Sequence, residues 1–151
     1  MEIKAELLKP YTDAQRIDFI VEQNHQKGYK IEETDIALVA LDYTEEEKHR
    51  REKERIALLH LTRGDVFRGL LQARGVTRTQ LRTIIENLPE ENKEQIITKE
   101  MALIDFDEAL EFYRGNSLID TVGLLLGITE EQLDRFFETN DYKELLPVED
   151  K

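Results

Sequence analysis

The chain has no cysteine, only one serine, three prolines and seven glycines in 151 residues. Without cysteine it can form no disulfide, thiol nucleophile or cysteine-bearing zinc site. The single serine, Ser117, lies in GNSLID. That is not the strained strand-to-helix elbow a serine nucleophile occupies, so Ser117 reads as a helix cap and hydrolase chemistry has no starting point. Few Gly and Pro leave few places for β-turns, and 40% hydrophobic with 36% charged residues suits a folded, α-rich domain. No apolar run approaches the roughly 20 residues of a membrane span. The opening MEIKAELLKPYT lacks a cationic stretch followed by an apolar one. The expectation is a cytoplasmic protein with no membrane partner.

The net charge of −12 is unevenly distributed. Residues 1–47 carry five Lys/Arg against twelve Asp/Glu, residues 48–82 ten against three, and residues 83–151 six against eighteen. The middle of the chain is a basic island in an acidic protein, a statement about surface fields and partners rather than fold.

Thr12 stands at an N-cap position before DAQRIDFIVEQNHQKG, with Ile17, Ile20 and Val21 at helical spacing and Gly28 at the end. YKIEETDIALVALDY then predicts a β-hairpin around a polar Glu32–Asp35 centre. Thr44 with Glu47 forms a capping-box pattern opening TEEEKHRREKERIALLHL. Its first half lacks an apolar stripe and should project as a solvated rod until Ile56, Leu58 and Leu59 reach a core. Further helices are expected from Thr62 to Gly75, from Thr77 to Leu88, as one long element over Glu91–Arg114 burying Leu103, Phe106, Leu110 and Tyr113, and over Leu118–Leu126 and Glu130–Glu138. The tail DYKELLPVEDK should be frayed, at least from Pro147.

One phrase occurs twice: GVTRTQLRTIIEN from Gly75 and GITEEQLDRFFET from Gly127. Gly, Thr, Gln, Leu and Glu recur at matching places, and the apolar match continues upstream through Phe67/Ile119 and Leu70/Val122. The physical content is a helix, a Gly suited to positive φ, an apolar residue under the turn, a Thr cap and a second helix. The expected fold is mainly α: a multi-helix domain with two repeated αα-hairpins of helix-turn-helix type, joined to a small N-terminal helix and β-hairpin. In residue terms this is an appendage over 1–43, a helical domain over 44–146 with repeats at 64–87 and 116–139, and a flexible tail over 147–151.

Helix-turn-helix geometry can place its second helix in a major groove, and the first copy has the Arg side chains that phosphates require. The second copy, with Glu130, Glu131, Asp134 and Glu138, does not. The same arrangement also simply turns a corner in an all-α domain. A third reading lets the basic and acidic copies face each other, within one chain or between chains.

Glu22/His25 and Glu46/His49 share the Glu-x-x-His spacing of di-iron bundles, but the second lies in a run with no apolar neighbours to make a dry core. The carboxylates Asp105, Asp107, Glu108 and Glu111 read as a solvated helix face, and His60, between Leu59 and Leu61, as a half-buried packing residue. No catalytic, cofactor or metal site is expected.

YTDAQRIDFIVEQNHQKGYKI, LTRGDVFRGLLQARGVT and ALIDFDEALEFYRGNSLIDTVGLLLGITEEQLDRFF together resemble a set of small proteins encoded in prophages of gut Firmicutes, among virion tail and head genes. The resemblance spans Tyr11 to Phe137, and its most specific phrase is Phe112–Asp120. It implies a context rather than a chemistry. The expectation is a non-enzymatic protein acting through protein–protein binding with a phage or host protein or with itself, as a virion assembly or accessory factor that could stay virion-associated. The expected contact surface is Arg68, Arg74, Arg78 and Arg82 on the first hairpin, with Lys48, Arg50, Arg51 and Arg55 on the rod. The alternatives are a nucleic-acid binder using the Thr77–Asn87 helix and an acidic nucleic-acid mimic acting on a host protein.

Overall fold

A computed structural model describes residues 2–148, and the chain is mostly helical. It divides into two compact units between Glu52 and Lys53. The division falls inside a helix, not at the 43/44 junction expected from the sequence.

The first unit contains β1 (Ile3–Leu8), α1 (Asp13–Ile20), a π-helical continuation over Val21–Gln26, β2 (Lys30–Glu33) and β3 (Ala37–Leu41). Thr12 caps α1 as expected: its hydroxyl accepts from Gln15 N while the Gln15 side chain accepts from Thr12 N. Gly28 follows at φ +78°. The predicted hairpin is present as β2 and β3, its turn closed by Thr34 Oγ1, which accepts from Ala37 N at 3.0 Å. A third strand was not foreseen. β1 pairs antiparallel with the other edge of β3, giving the order β1-β3-β2, and all five residues of β3 are buried. Because two strands are marginal in water, the extra strand matters: it makes ALVAL a central strand. In α1 the apolar spacing misleads, since Ile17 and Val21 are exposed and no α1 residue is buried.

α2 (Glu45–Ala57) starts at the Thr44/Glu47 capping box and buries no residue, so the solvated rod is there. It ends sooner than expected: Leu58 is exposed, Leu59 packs on the core, and His60–Thr62 forms strand β4.

The second unit continues with α3 (Arg63–Arg74), α4 (Arg78–Glu86), α5 (Lys93–Glu108), β5 (Glu111–Tyr113), α6 (Ser117–Leu126), α7 (Glu130–Thr139) and a 3-10 turn over Tyr142–Leu145. The expected helix to Arg114 stops at Glu108, where Ala109 adopts extended ψ of 131°. From there burial alternates: Glu111 and Tyr113 exposed, Phe112 and Arg114 buried. That is the period of a strand, and Leu110, assigned to the core by helical spacing, is 86% exposed. β5 pairs antiparallel with β4, Leu61 opposite Phe112.

Both glycines of the duplicated phrase take left-handed φ, +67° at Gly75 and +72° at Gly127. After each, a Thr–Gln capping box opens the next helix. Asn116, not Ser117, caps α6, its Oδ1 accepting from Leu118 N. The core gathers Leu61, Val66, Leu70, Leu81, Ile85, Phe106, Phe112, Leu118, Ile119, Val122, Leu133, Phe136 and Phe137. The C-terminal segment is part of it, because Leu145 is fully buried and Leu146 packs on the cluster. The expected fraying therefore does not begin before Pro147, and Glu149–Lys151 of the predicted tail lie outside the described residues.

Candidate functional site, a cationic groove at the α3/α4 corner

Gly64, Phe67, Arg68 and Leu71 stand at i, i+3, i+4 and i+7 of α3 and share one face. The αL turn at Gly75 brings Val76, Thr77 and Arg78 alongside, and with Arg63 these residues line an open groove of about 400 Å³. Its floor is apolar (Phe67, Leu71, Val76) and its cations are Arg63, Arg68 and Arg78. Arg63 lies 4.7 Å from the centre of the Phe67 ring and donates to the Phe106 carbonyl, so its guanidinium is fixed over the floor. Arg68 is 67% exposed and pairs with Asp65 at 2.7 Å. That pair, with the Thr62 hydroxyl, holds the Asp65 carboxyl below the usual carboxylate range. Arg78, exposed at the first position of α4, sits where the amides of the first helical turn add partial positive charge.

The remaining expected contact residues point inward or are matched. Arg74 is half-buried, with Nε donating to the Leu145 carbonyl at 2.7 Å and Nη1 to the Leu126 carbonyl at 3.3 Å, so it ties the C-terminal turn and the end of α6 to α3. It is a structural clasp rather than a surface contact. Arg82 is held by Glu86 and by Asp107 of α5 at 2.8 Å. On the rod, Lys48 pairs with Glu45, Arg51 stacks 4.0 Å over the Tyr43 ring, and Arg55 bridges to Glu138 at 2.9 Å; Arg50 is also engaged. The basic island is thus largely engaged, by near neighbours (Glu45, Asp65, Glu86) and by two carboxylates far away in the sequence, Asp107 and Glu138.

Arg114 was not anticipated. It is 7% exposed, with Nη1 on Asp120 and Nε on Asp134, both at 2.7 Å. Asp134 of the acidic copy and Asp120 of the helix before it are therefore both committed to a buried cation. The other chemical candidates resolve as structure. His60 is exposed on β4, correcting its expected half-burial, with its ring 5.2 Å from Tyr113 and Nε2 3.8 Å from Glu111. Asp105 accepts from Asn116. Among the described residues no group of three or more His, Asp or Glu is arranged to hold a metal ion, and no helix is long and apolar enough to cross a membrane. A void of about 30 Å³ in the core is lined only by apolar side chains and offers nothing to orient a ligand.

Arg78 and Arg68 were legible as cations, but the groove's floor was not. Leu71 follows Leu70 in an apolar pair, and only the fold shows that Leu70 faces the core while Leu71, 49% exposed, faces out. No protein family, curated protein or solved structure matches this chain.

Proposed function

We propose that the chain is a non-enzymatic, prophage-derived binding protein, a virion assembly or accessory factor, that takes an acidic and partly apolar segment of another protein into the α3/α4 groove. The observation that carries this reading is the groove's mixed lining, three arginines over Phe67, Leu71 and Val76. A carboxylate-bearing apolar segment satisfies both parts; a phosphate backbone satisfies only the cations. The two helix–glycine–helix corners support reading the second unit as one strand–helix–helix element used twice. At the 52-residue offset the charges invert, with Arg68, Arg78 and Arg82 against Asp120, Glu130 and Asp134. Duplication followed by charge inversion leaves one corner for binding and one, tied to Arg114, for architecture. Virion context comes from the resemblance of Tyr11–Phe137 to prophage proteins.

The test is capture from an extract of an induced lysogen, using immobilised wild type, Leu71→Asp, Arg78→Glu and Arg82→Glu, with captured proteins identified by mass. The expected result is a virion structural protein retained by wild type and Arg82→Glu and lost with the two groove variants. Equal capture by all four proteins, or none by wild type, rejects the groove as the binding site.

A further inference from the structure

α5 is apolar on two opposite faces. Ala102 and Phe106 are buried and Leu103 is half-buried in the core, whereas Ile97, Met101 and Ile104, at i, i+4 and i+7, are 47%, 60% and 53% exposed. A helix that is apolar all round normally has both faces covered. Lys93 and Glu108 extend the outer stripe at its two ends, four residues before Ile97 and four after Ile104. Neither has an ion-pair partner among the described residues. Both charges oppose their own helix: a cation stands in the first turn and an anion in the last, each facing the like-signed end of the dipole.

We infer that the outer face of α5 is a homodimer interface, in which α5 of a second copy packs antiparallel across a two-fold axis beside Met101. Antiparallel pairing is the arrangement that makes this stripe self-complementary. Position numbers that sum to 201 meet, so Ile97 covers Ile104 of the second copy and Lys93 meets Glu108 of the second copy. The same arrangement brings each misplaced charge to the opposite end of a neighbouring helix dipole, converting two unfavourable interactions per chain into favourable ones. A two-fold contact is isologous, so both pairs form twice.

The interface is small. Sixteen residues span about 24 Å, and a single helix pair of that length falls short of the roughly 1,200–2,000 Å² of stable complexes. The dimer is accordingly weak and concentration-dependent. Glu100 of both copies flanks the axis, and each chain carries −12. Salt screens both repulsions, so association tightens as salt rises, unlike binding led by opposite charges.

Sedimentation equilibrium of the full chain over a wide concentration range tests this. Wild type should show a monomer–dimer equilibrium. Ile97→Glu/Ile104→Glu should weaken it by at least about a hundredfold, since four apolar side chains leave the interface, with helicity and melting temperature unchanged. Lys93→Glu alone and Glu108→Lys alone should each weaken it about fivefold, and the two together should restore it. Restoration by the double exchange identifies antiparallel pairing across the axis, because both substitutions also improve each chain's own dipole and would not otherwise compensate. A wild-type monomer at every concentration, a dimer indifferent to the isoleucine variants, or a charge exchange without restoration overturns the proposal. So does a monomeric wild type that loses capture of a different protein through Ile97→Glu/Ile104→Glu. Leu71→Asp and Arg78→Glu lie in the groove and should leave self-association intact, so failure of either reading is seen separately.

Discussion

At the scale of single residues, two contacts carry unusual weight. The ring of Phe136 lies so close to α3 that a Cβ on Gly69 would fall 2.5 Å from its Cζ. Phe136 is 2% exposed, so a Cβ at Gly69 forces the ring or α3 to shift within the core. Gly69→Ala is expected to destabilise the second unit by about 1–3 kcal/mol, the cost of forcing a packed core to shift, measured by urea denaturation. The other contact is Arg114. Removing it leaves Asp120 and Asp134 facing each other beside an emptied buried site, and Arg114→Met should cost about 3 kcal/mol, at the low end for broken buried pairs because Asp120 is half exposed. Arg114→Lys should not recover the loss, since one ammonium cannot reproduce two separately directed guanidinium bonds. Equal stability of the Lys variant and wild type would show that charge alone suffices there. In the first unit, hydrogen bonding to Tyr11 and the nearby Lys9 hold the Glu33 carboxyl below its usual range, and the Lys30 ammonium together with the Thr44 backbone does the same for Glu47. A carboxyl whose folded-state titration is lowered contributes stability that is full above its unfolded value and disappears as pH falls through the folded one. Tyr11 is shifted upward by the same Glu33, so its contribution is full at neutral pH and lost as pH rises through its folded value. The amides of β2, followed by hydrogen exchange, should lose protection in both acid and alkali. Tyr11→Phe should reduce the alkaline loss, to which Lys30, raised by Glu32 and Glu47, also contributes. It should weaken the acid loss as well, because it removes the hydrogen bond that lowers Glu33.

At the scale of elements, most caps and turns and the β2/β3 hairpin were legible, whereas β1, β4 and β5 were not. Thr12, Thr44, Thr62, Thr77 and Thr129 each accept from the backbone N–H three residues on, as their positions at helix starts predict. These are local interactions, complete within four residues, so the sequence contains everything needed to find them. β4 and β5 are three residues each, and the pairing partners of β1, β4 and β5 lie far away in the chain, which local periodicity cannot see. ALEFYR shows the ambiguity: Phe106, Leu110 and Tyr113 fit a helix face, yet pairing with His60–Thr62 wins and turns Phe112 inward instead. The groove was half legible for the same reason, its arginines visible and its apolar floor hidden until α3 was oriented. The C-terminal turn carries an element-scale prediction. Leu145 is fully buried, its carbonyl accepts from Arg74, and the neighbouring Leu146 carbonyl accepts from Gln132 Nε2 at 2.8 Å. Leu145→Ala should therefore cost about 2–5 kcal/mol, as for other buried leucines, although a sequence reading places it beside a frayed tail. Truncation before Tyr142 should lower the melting temperature further by also stranding Arg74.

At the scale of the whole molecule, the question is whether a basic corner can act against an acidic background. Phosphate neutralisation is what supplies most non-specific DNA affinity, and each cation contributes only if it is available. Of the five arginines in or beside the first hairpin, Arg63 donates to the Phe106 carbonyl, Arg74 is committed to two carbonyls and Arg82 to two carboxylates, while Arg68 shares its charge with Asp65. Arg78 alone keeps its charge unshared on α4, the helix that would have to enter a groove, and the chain as a whole carries −12. Longer-range repulsion then acts on every approaching phosphate, most strongly when salt is low and the field reaches furthest. Titrating mixed duplex DNA at low and moderate salt should accordingly give no binding with the steep salt dependence of a phosphate-reading interface, and Arg78→Glu should make no difference. Binding that weakens steeply with salt and disappears with Arg78→Glu would instead make the α3/α4 corner a DNA reader. The groove's apolar floor would then be incidental, and the protein-segment proposal would fall with it.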